Sequence, residues 1–284
     1  RKCHEVAILI RRRQGEVAED QLGEVDRAIG YYVQAMEADP ADLTTIESLE
    51  RLYEQTERWE DLDQTLHQKL AGVVDADQRR EIFLKIAAVQ QEKLEDFDAA
   101  IMAYQSVLED FPADVEVMKV LDSLYAHEER HDDYYANLER RAEVTEDPDE
   151  VVGIYLTMGQ LLTGPMVDVD RAIDVYRRVL DIGDNEQAFE ALEEIAQQEE
   201  HRPEVISILQ PIYRRAGSWE RLLTLEKLGL EILSDPAERV EKLLQIAELY
   251  ERGTGDAQAA FATLLDAFSE EIWNEDLYTR AMVM

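Results

Sequence analysis

The stretch Val25-Asp26-Arg27-Ala28-Ile29, with Tyr32 behind it, recurs as Phe97-Asp98-Ala99-Ala100-Ile101 with Tyr104, and again as Val169-Asp170-Arg171-Ala172-Ile173 with Tyr176. The step is 72 residues both times. A second set interleaves with the first: Leu49, Leu52, Tyr53, Arg58 and Leu66 return at the same step as Leu121, Leu124, Tyr125, Arg130 and Leu138. Two independent sets that share one spacing identify an internal repeat. A repeat of this length marks a chain built by stacking copies side by side.

Each 72-residue unit reads as four helices. Apolar residues fall at Ile82, Leu84, Ile86, Val89 and Leu94, and then at Ile101, Tyr104, Val107 and Leu108, which is helical spacing. Helix-breaking pairs punctuate the pattern: Asp39-Pro40, Phe111-Pro112, Asp147-Pro148 and Asp235-Pro236. The pattern predicts helices at 3–18, 25–38, 43–56, 59–73, 77–93, 97–110, 115–128, 132–145, 149–163, 169–182, 187–200, 203–216, 219–234, 238–252, 256–269 and 274–284, and no strand. Links of a few residues make neighbouring helices antiparallel.

Half of the repeat, about 36 residues, is near the length of a tetratricopeptide repeat. Ala28, Tyr32 and Ala35 stand before Pro40, and Ala100, Tyr104 and Val107 before Pro112. This order resembles the small residue, aromatic, small residue and terminal proline of that family's second helix. In the alternate half-units, Leu62 and Tyr134 fill the small-residue slot, so tight and loose helix pairs are expected to alternate. The chain is similar to the long tandem arrays of large bacterial tetratricopeptide proteins. The resemblance implies an all-α, right-handed α-solenoid of antiparallel helix hairpins: one array over residues 1–284, about 16 helices, with double repeats starting near 5, 77 and 149.

One irregularity interrupts the register. Trp59-Glu60 and Leu62 reappear as Trp219-Glu220 and Leu222, and Ala99-Ala100 as Ala259-Ala260, both 160 residues on, which is 16 more than two periods. Sixteen residues make a helix and a turn. The extra helix is expected at 203–216, around Pro211, with a superhelical break near 200–218. Residues 274–284 read as the start of a further repeat helix, Trp273 is expected to be partly exposed, and a longer parent protein is expected.

Composition excludes several function classes. The net charge is −35, from 64 Asp and Glu against 29 Lys and Arg. Such a surface opposes binding to nucleic acid phosphates and to anionic membranes. No stretch is long and apolar enough to span a bilayer. A single cysteine, Cys3, rules out a disulfide framework and suggests a reducing compartment, with cytoplasm expected over periplasm. With the carboxylates spread along the whole chain, solubility in high salt is the favoured reading of the charge, and an acidic face for a basic partner is the other.

Few residues carry chemistry. His127-Glu128-Glu129-Arg130-His131 satisfies the H-E-x-x-H pattern of zinc peptidases, which needs both histidines on one helix face. Here His131 falls at the slot of Trp59, the first residue of the next helix, so the two histidines straddle a turn. His4, His67 and His201 stand isolated, and Gly253-Thr254-Gly255 reads as a turn rather than a phosphate loop. Trp59 and Trp219 recur at a helix-start slot and read as packing residues. No catalytic site and no cofactor or metal is expected.

What remains is surface. The tetratricopeptide resemblance places a partner groove along the first helix of each pair, at Thr44, Glu47, Arg51, Glu54, Lys85, Val89, Glu92, Glu116, Lys119, Ser123, Thr157, Leu161, Gln187, Glu190 and Glu194. It implies a non-enzymatic scaffold for protein partners, with basic or amphipathic segments as the occupants an acidic groove would take. The alternative is a structural spacer within a larger assembly, and a zinc hydrolase built on His127, Glu128 and His131 comes last.

Overall fold

A computed structural model describes the backbone of residues 2–270 and the side chains of residues 6–270. The expected helix at 274–284, Trp273, and the side chains of Cys3 and His4 lie outside the described residues. The chain forms two compact units, passing from one to the other at Val144 and Thr145. The first holds α1 (Lys2–Asp20), α2 (Val25–Ala38), α3 (Leu43–Gln55), α4 (Trp59–Ala71), α5 (Ala76–Glu92), α6 (Phe97–Asp110), α7 (Val115–His127) and α8 (His131–Val144). The second holds α9 (Pro148–Thr163), α10 (Val169–Ile182), α11 (Glu186–Ile195), α12 (Arg202–Ala216), α13 (Trp219–Glu231), α14 (Pro236–Glu248), a π-helical turn (Leu249–Thr254) and α15 (Ala257–Glu270). No strand occurs among the described residues. Within each unit the substantial helix contacts join neighbours along the chain. Each unit is therefore an α-solenoid of stacked hairpins whose core passes from one hairpin to the next. In the first unit that core runs without interruption from Ala18 to Tyr125.

The turns obey the repeat as closely as the helices do. Left-handed backbone (φ 51–75°) recurs at Gly23, Glu95, Val167 and Gly255, and in a second series at Glu57, Glu129 and Gly217. Each series follows the 72- and 160-residue spacings. After each site the chain enters a helix, and Asp96, Asp168 and Asp256 accept hydrogen bonds from the backbone N–H groups of Ala99, Arg171 and Ala259. Asp75, Asp114 and Asp235 cap other helices in the same way. Carboxylates at helix starts satisfy unpaired N–H groups and meet the positive end of the helix dipole. Part of the chain's acidity is therefore structural.

Hairpins α1–α2, α5–α6, α9–α10 and α14–α15 are in contact over more of their length than α3–α4, α7–α8 and α12–α13. Two of the tight pairs, α1–α2 and α9–α10, seat a glycine under an aromatic ring. A Cβ at Gly15 would lie 2.7 Å from the Tyr32 ring, and one at Gly159 would lie 2.5 Å from Tyr176. In the loose pairs buried charge fills the wider gap. Glu50 accepts from Lys69 at 2.8 Å and from Lys85 at 3.0 Å. One period later, Asp122 is bound by Arg141 and by Asn137, the latter at 2.7 Å. In the third loose pair a fully buried Glu226 accepts from Gln210 at 2.6 Å and from Lys242 at 2.5 Å.

Three predicted helices end early. Residues 187–200 were expected to be helical, but α11 stops at Ile195, where the apolar pattern gives way to Gln197-Gln198-Glu199-Glu200. The buried guanidinium of Arg202 donates to the carbonyls of Ala196 (2.9 Å) and Gln197 (3.2 Å), closing the helix end. Helix α13 stops at Glu231, and α14 passes at Leu249 into the π-helical turn, where a Cβ on Gly253 would lie 3.0 Å from the Trp219 side chain. The sequence placed an extra helix at 203–216. In the structure α12 pairs chiefly with α13, and α11 stands between hairpins.

Candidate functional site

The second unit contains a cleft of about 480 Å³ between α9 and α11, with Tyr176 of α10 beneath it. The small Gly159 lets the Tyr176 ring lie close against α9. Burial raises the Tyr176 phenol above its ordinary value, a Thr163 hydrogen bond opposes this, and the charge of Glu194 adds to it. On the other side Asn185 caps α11, accepting from the N–H of Ala188 at 3.0 Å. With Ala188, Phe189, Leu192 and Ile195 buried, the opposite helix face turns Gln187, Glu190 and Glu194 into the cleft. Leu156, Gln160 and Thr163 of α9 form the facing wall, and Gln198 closes one end.

Three of the groove positions read from the sequence, Gln187, Glu190 and Glu194, are thus brought together. The others are not. Val89 and Leu161 are buried in the helix stack, because the face assigned to the groove turns inward at those two positions. Thr157 is half-buried and donates to the carbonyl of Gly153 at 3.0 Å. Thr44 and Glu47 are exposed along α3, and Glu92 is exposed near the end of α5. Arg51 is paired with Glu19 of α1. Lys85 bridges to Glu54 at 2.7 Å as well as to Glu50. Glu116 pairs with Lys119 at 3.2 Å, and Ser123 donates to the carbonyl of Lys119.

Sequence reading missed Gln160, Thr163, Tyr176 and Gln198 as cleft residues. The repeating Tyr32, Tyr104 and Tyr176 carried a signal, but one that reads as core.

The histidines of the H-E-x-x-H stretch lie where the repeat put them. His127 ends α7, its ring 4.6 Å from that of Phe97 and its Nδ1 2.8 Å from Glu128, while His131 opens α8. They do not share the helix face that the zinc-peptidase arrangement needs. Among the described residues no group of three or more His, Cys, Asp or Glu is placed to hold a metal ion, and no helix is long and apolar enough to cross a membrane.

Two family models, each described as tetratricopeptide repeat, match residues 45–81 and 81–114. No curated protein matches the chain in sequence. Among solved structures it is similar to the crystal structure of MamA, at 19% identity over 65% of this chain and 97% of that one, with a TM-score of 0.35. It is also similar to YrrB, described as a TPR protein with an unusual peptide-binding site, at 20% identity over 64% and 90% and a TM-score of 0.35. A third is the C-terminal part of a TPR repeat-containing protein from Cytophaga hutchinsonii, at 14% identity over 97% and 98% and a TM-score of 0.36. With consecutive repeats matched over residues 45–114 and helix hairpins stacked in both units, the chain carries tetratricopeptide repeats.

Proposed function

We propose that the chain is a non-enzymatic scaffold that holds basic or amphipathic segments of protein partners in a groove along its stacked helices. The observation that supports this most is the α9–α10–α11 cleft. It is open, backed by an aromatic ring, and walled by three residues that the tetratricopeptide resemblance assigns to a groove. Such a surface offers a peptide several weak contacts along one line and leaves its backbone reachable by the amides of Gln160 and Gln187.

A spacer role is the second reading, and the first unit favours it there. Arg51, Lys85 and Lys119 are each paired with a carboxylate of the chain itself. Affinity capture with the full chain and with Glu190→Lys, read by mass spectrometry, tests the scaffold reading. Partners should be retained by the parent chain and depleted at least fivefold by the variant. An identical set on both would leave the spacer.

A further inference from the structure

We infer that the α9–α10–α11 cleft is specific for a cationic side chain, lysine or arginine, carried by an extended segment of the partner. This deepens the scaffold reading and rests on it. Superposing the buried faces of α3, α7 and α11 (Ile46, Leu49 and Leu52; Met118, Leu121 and Leu124; Phe189, Leu192 and Ile195) puts three groove walls in register. The walls are Thr44, Glu47 and Arg51; Glu116, Lys119 and Ser123; and Gln187, Glu190 and Glu194.

Each of the first two walls carries one carboxylate and one cation, so it is neutral by itself. The third carries two carboxylates and no cation. Its neighbours do not make up the difference. The facing residues Leu156, Gln160 and Thr163 are uncharged, and no lysine or arginine lines the cleft. Among the described residues Glu190 and Glu194 make no ion pair, although Glu186 and Glu193 on the same short helix are both held by Arg221. One helical turn apart on the same face of α11, the two exposed charges attract a cation together more strongly than either would alone. They also repel a chain-terminal carboxylate, so the favoured ligand is an internal basic segment.

The test must separate this from the general pull of a chain carrying −35. Three end-blocked nonapeptides, built from three Ala-Lys-Ala, Ala-Gln-Ala or Ala-Glu-Ala units, are titrated into the full chain while amide resonances are followed by NMR. The lysine peptide should shift the resonances of Gln160, Gln187, Glu190 and Glu194. Glu194→Arg, which restores the charge pattern of α3, should weaken it at least tenfold, and Glu194→Gln by less. Glu139→Arg, the same charge change at an exposed position on α8, should cost less than twofold. Equal losses from Glu194→Arg and Glu139→Arg would overturn the inference in favour of unspecific attraction. If the glutamine peptide shifts the same resonances as strongly, the scaffold reading stands and the cation assignment falls. If no peptide shifts them, both fall.

Discussion

Hairpins α9–α10 and α7–α8 are built on the same repeat and are held together by opposite means. In α9–α10 a missing side chain at Gly159 lets the Tyr176 ring press onto the partner helix, and the joint is apolar and close. In α7–α8 the joint is wider and contains Asp122, the amide of Asn137, which also donates to the carbonyl of Met118 at 2.8 Å, and the guanidinium of Arg141. Burial pushes the Asp122 carboxyl above its ordinary value, against the opposing effects of Asn137 and Arg141. The contrast teaches that a solenoid need not close every hairpin equally. Close apolar joints supply packing energy, whereas a satisfied buried ion pair adds little net stability and instead fixes which groups must face each other.

The comparison can be broken at either joint. Gly159→Val should have the largest effect, because the added atoms collide with the buried Tyr176 ring. A loss of about 3 kcal/mol is expected, read by urea unfolding of the full chain. A loss under about 1 kcal/mol would mean that the joint is not close-packed. Arg141→Ala should come next, at about 2 kcal/mol near neutral pH, because it leaves a charged Asp122 with only the Asn137 amide. That deficit should shrink as the pH falls and Asp122 takes up a proton, since a neutral carboxyl leaves no charge unpaired. A pH-independent deficit would show that Arg141 acts through packing alone.

The smallest effect concerns the turn that sets the tight pair, and it has the opposite sign. Val167 holds φ 51° and is exposed, in a series whose other members include Gly23 and Gly255. A β-branched residue is strained there, so Val167→Gly should stabilise the protein by about 1 kcal/mol in thermal unfolding. Destabilisation would mean that the valine side chain makes a contact worth more than its strain.

Much of this architecture was legible in the residues. Ala28, Ala100 and Ala172 at one spacing, with Tyr32, Tyr104 and Tyr176 four residues behind each, showed the hairpin and its tight joint. Leu62 and Tyr134 in the small-residue slot showed that the alternate joint is looser. What filled that joint was not read, although Glu50 and Asp122 stand one period apart, as do Lys69 and Arg141. In a chain with so many carboxylates, a repeating charged pair is hidden among dozens of solvated ones. The cleft was half read. Gln187, Glu190 and Glu194 followed from the tetratricopeptide resemblance, while Val89 and Leu161, assigned by the same resemblance, are buried.

The order of the helices and the turns that the 72-residue spacing repeats were settled by the sequence alone, because each depends on contacts between residues near one another in the chain, whereas the early end of α11 and its place between hairpins were not. Which carboxylates find a cation was decided only by tertiary structure. Arg51 reaches Glu19 across 32 residues and Lys85 reaches Glu54 across 31, while Glu190 and Glu194 find no cation among the described residues. Such pairing is a matter of distance in space, and the electrostatic character of a groove is whatever charge that pairing leaves over.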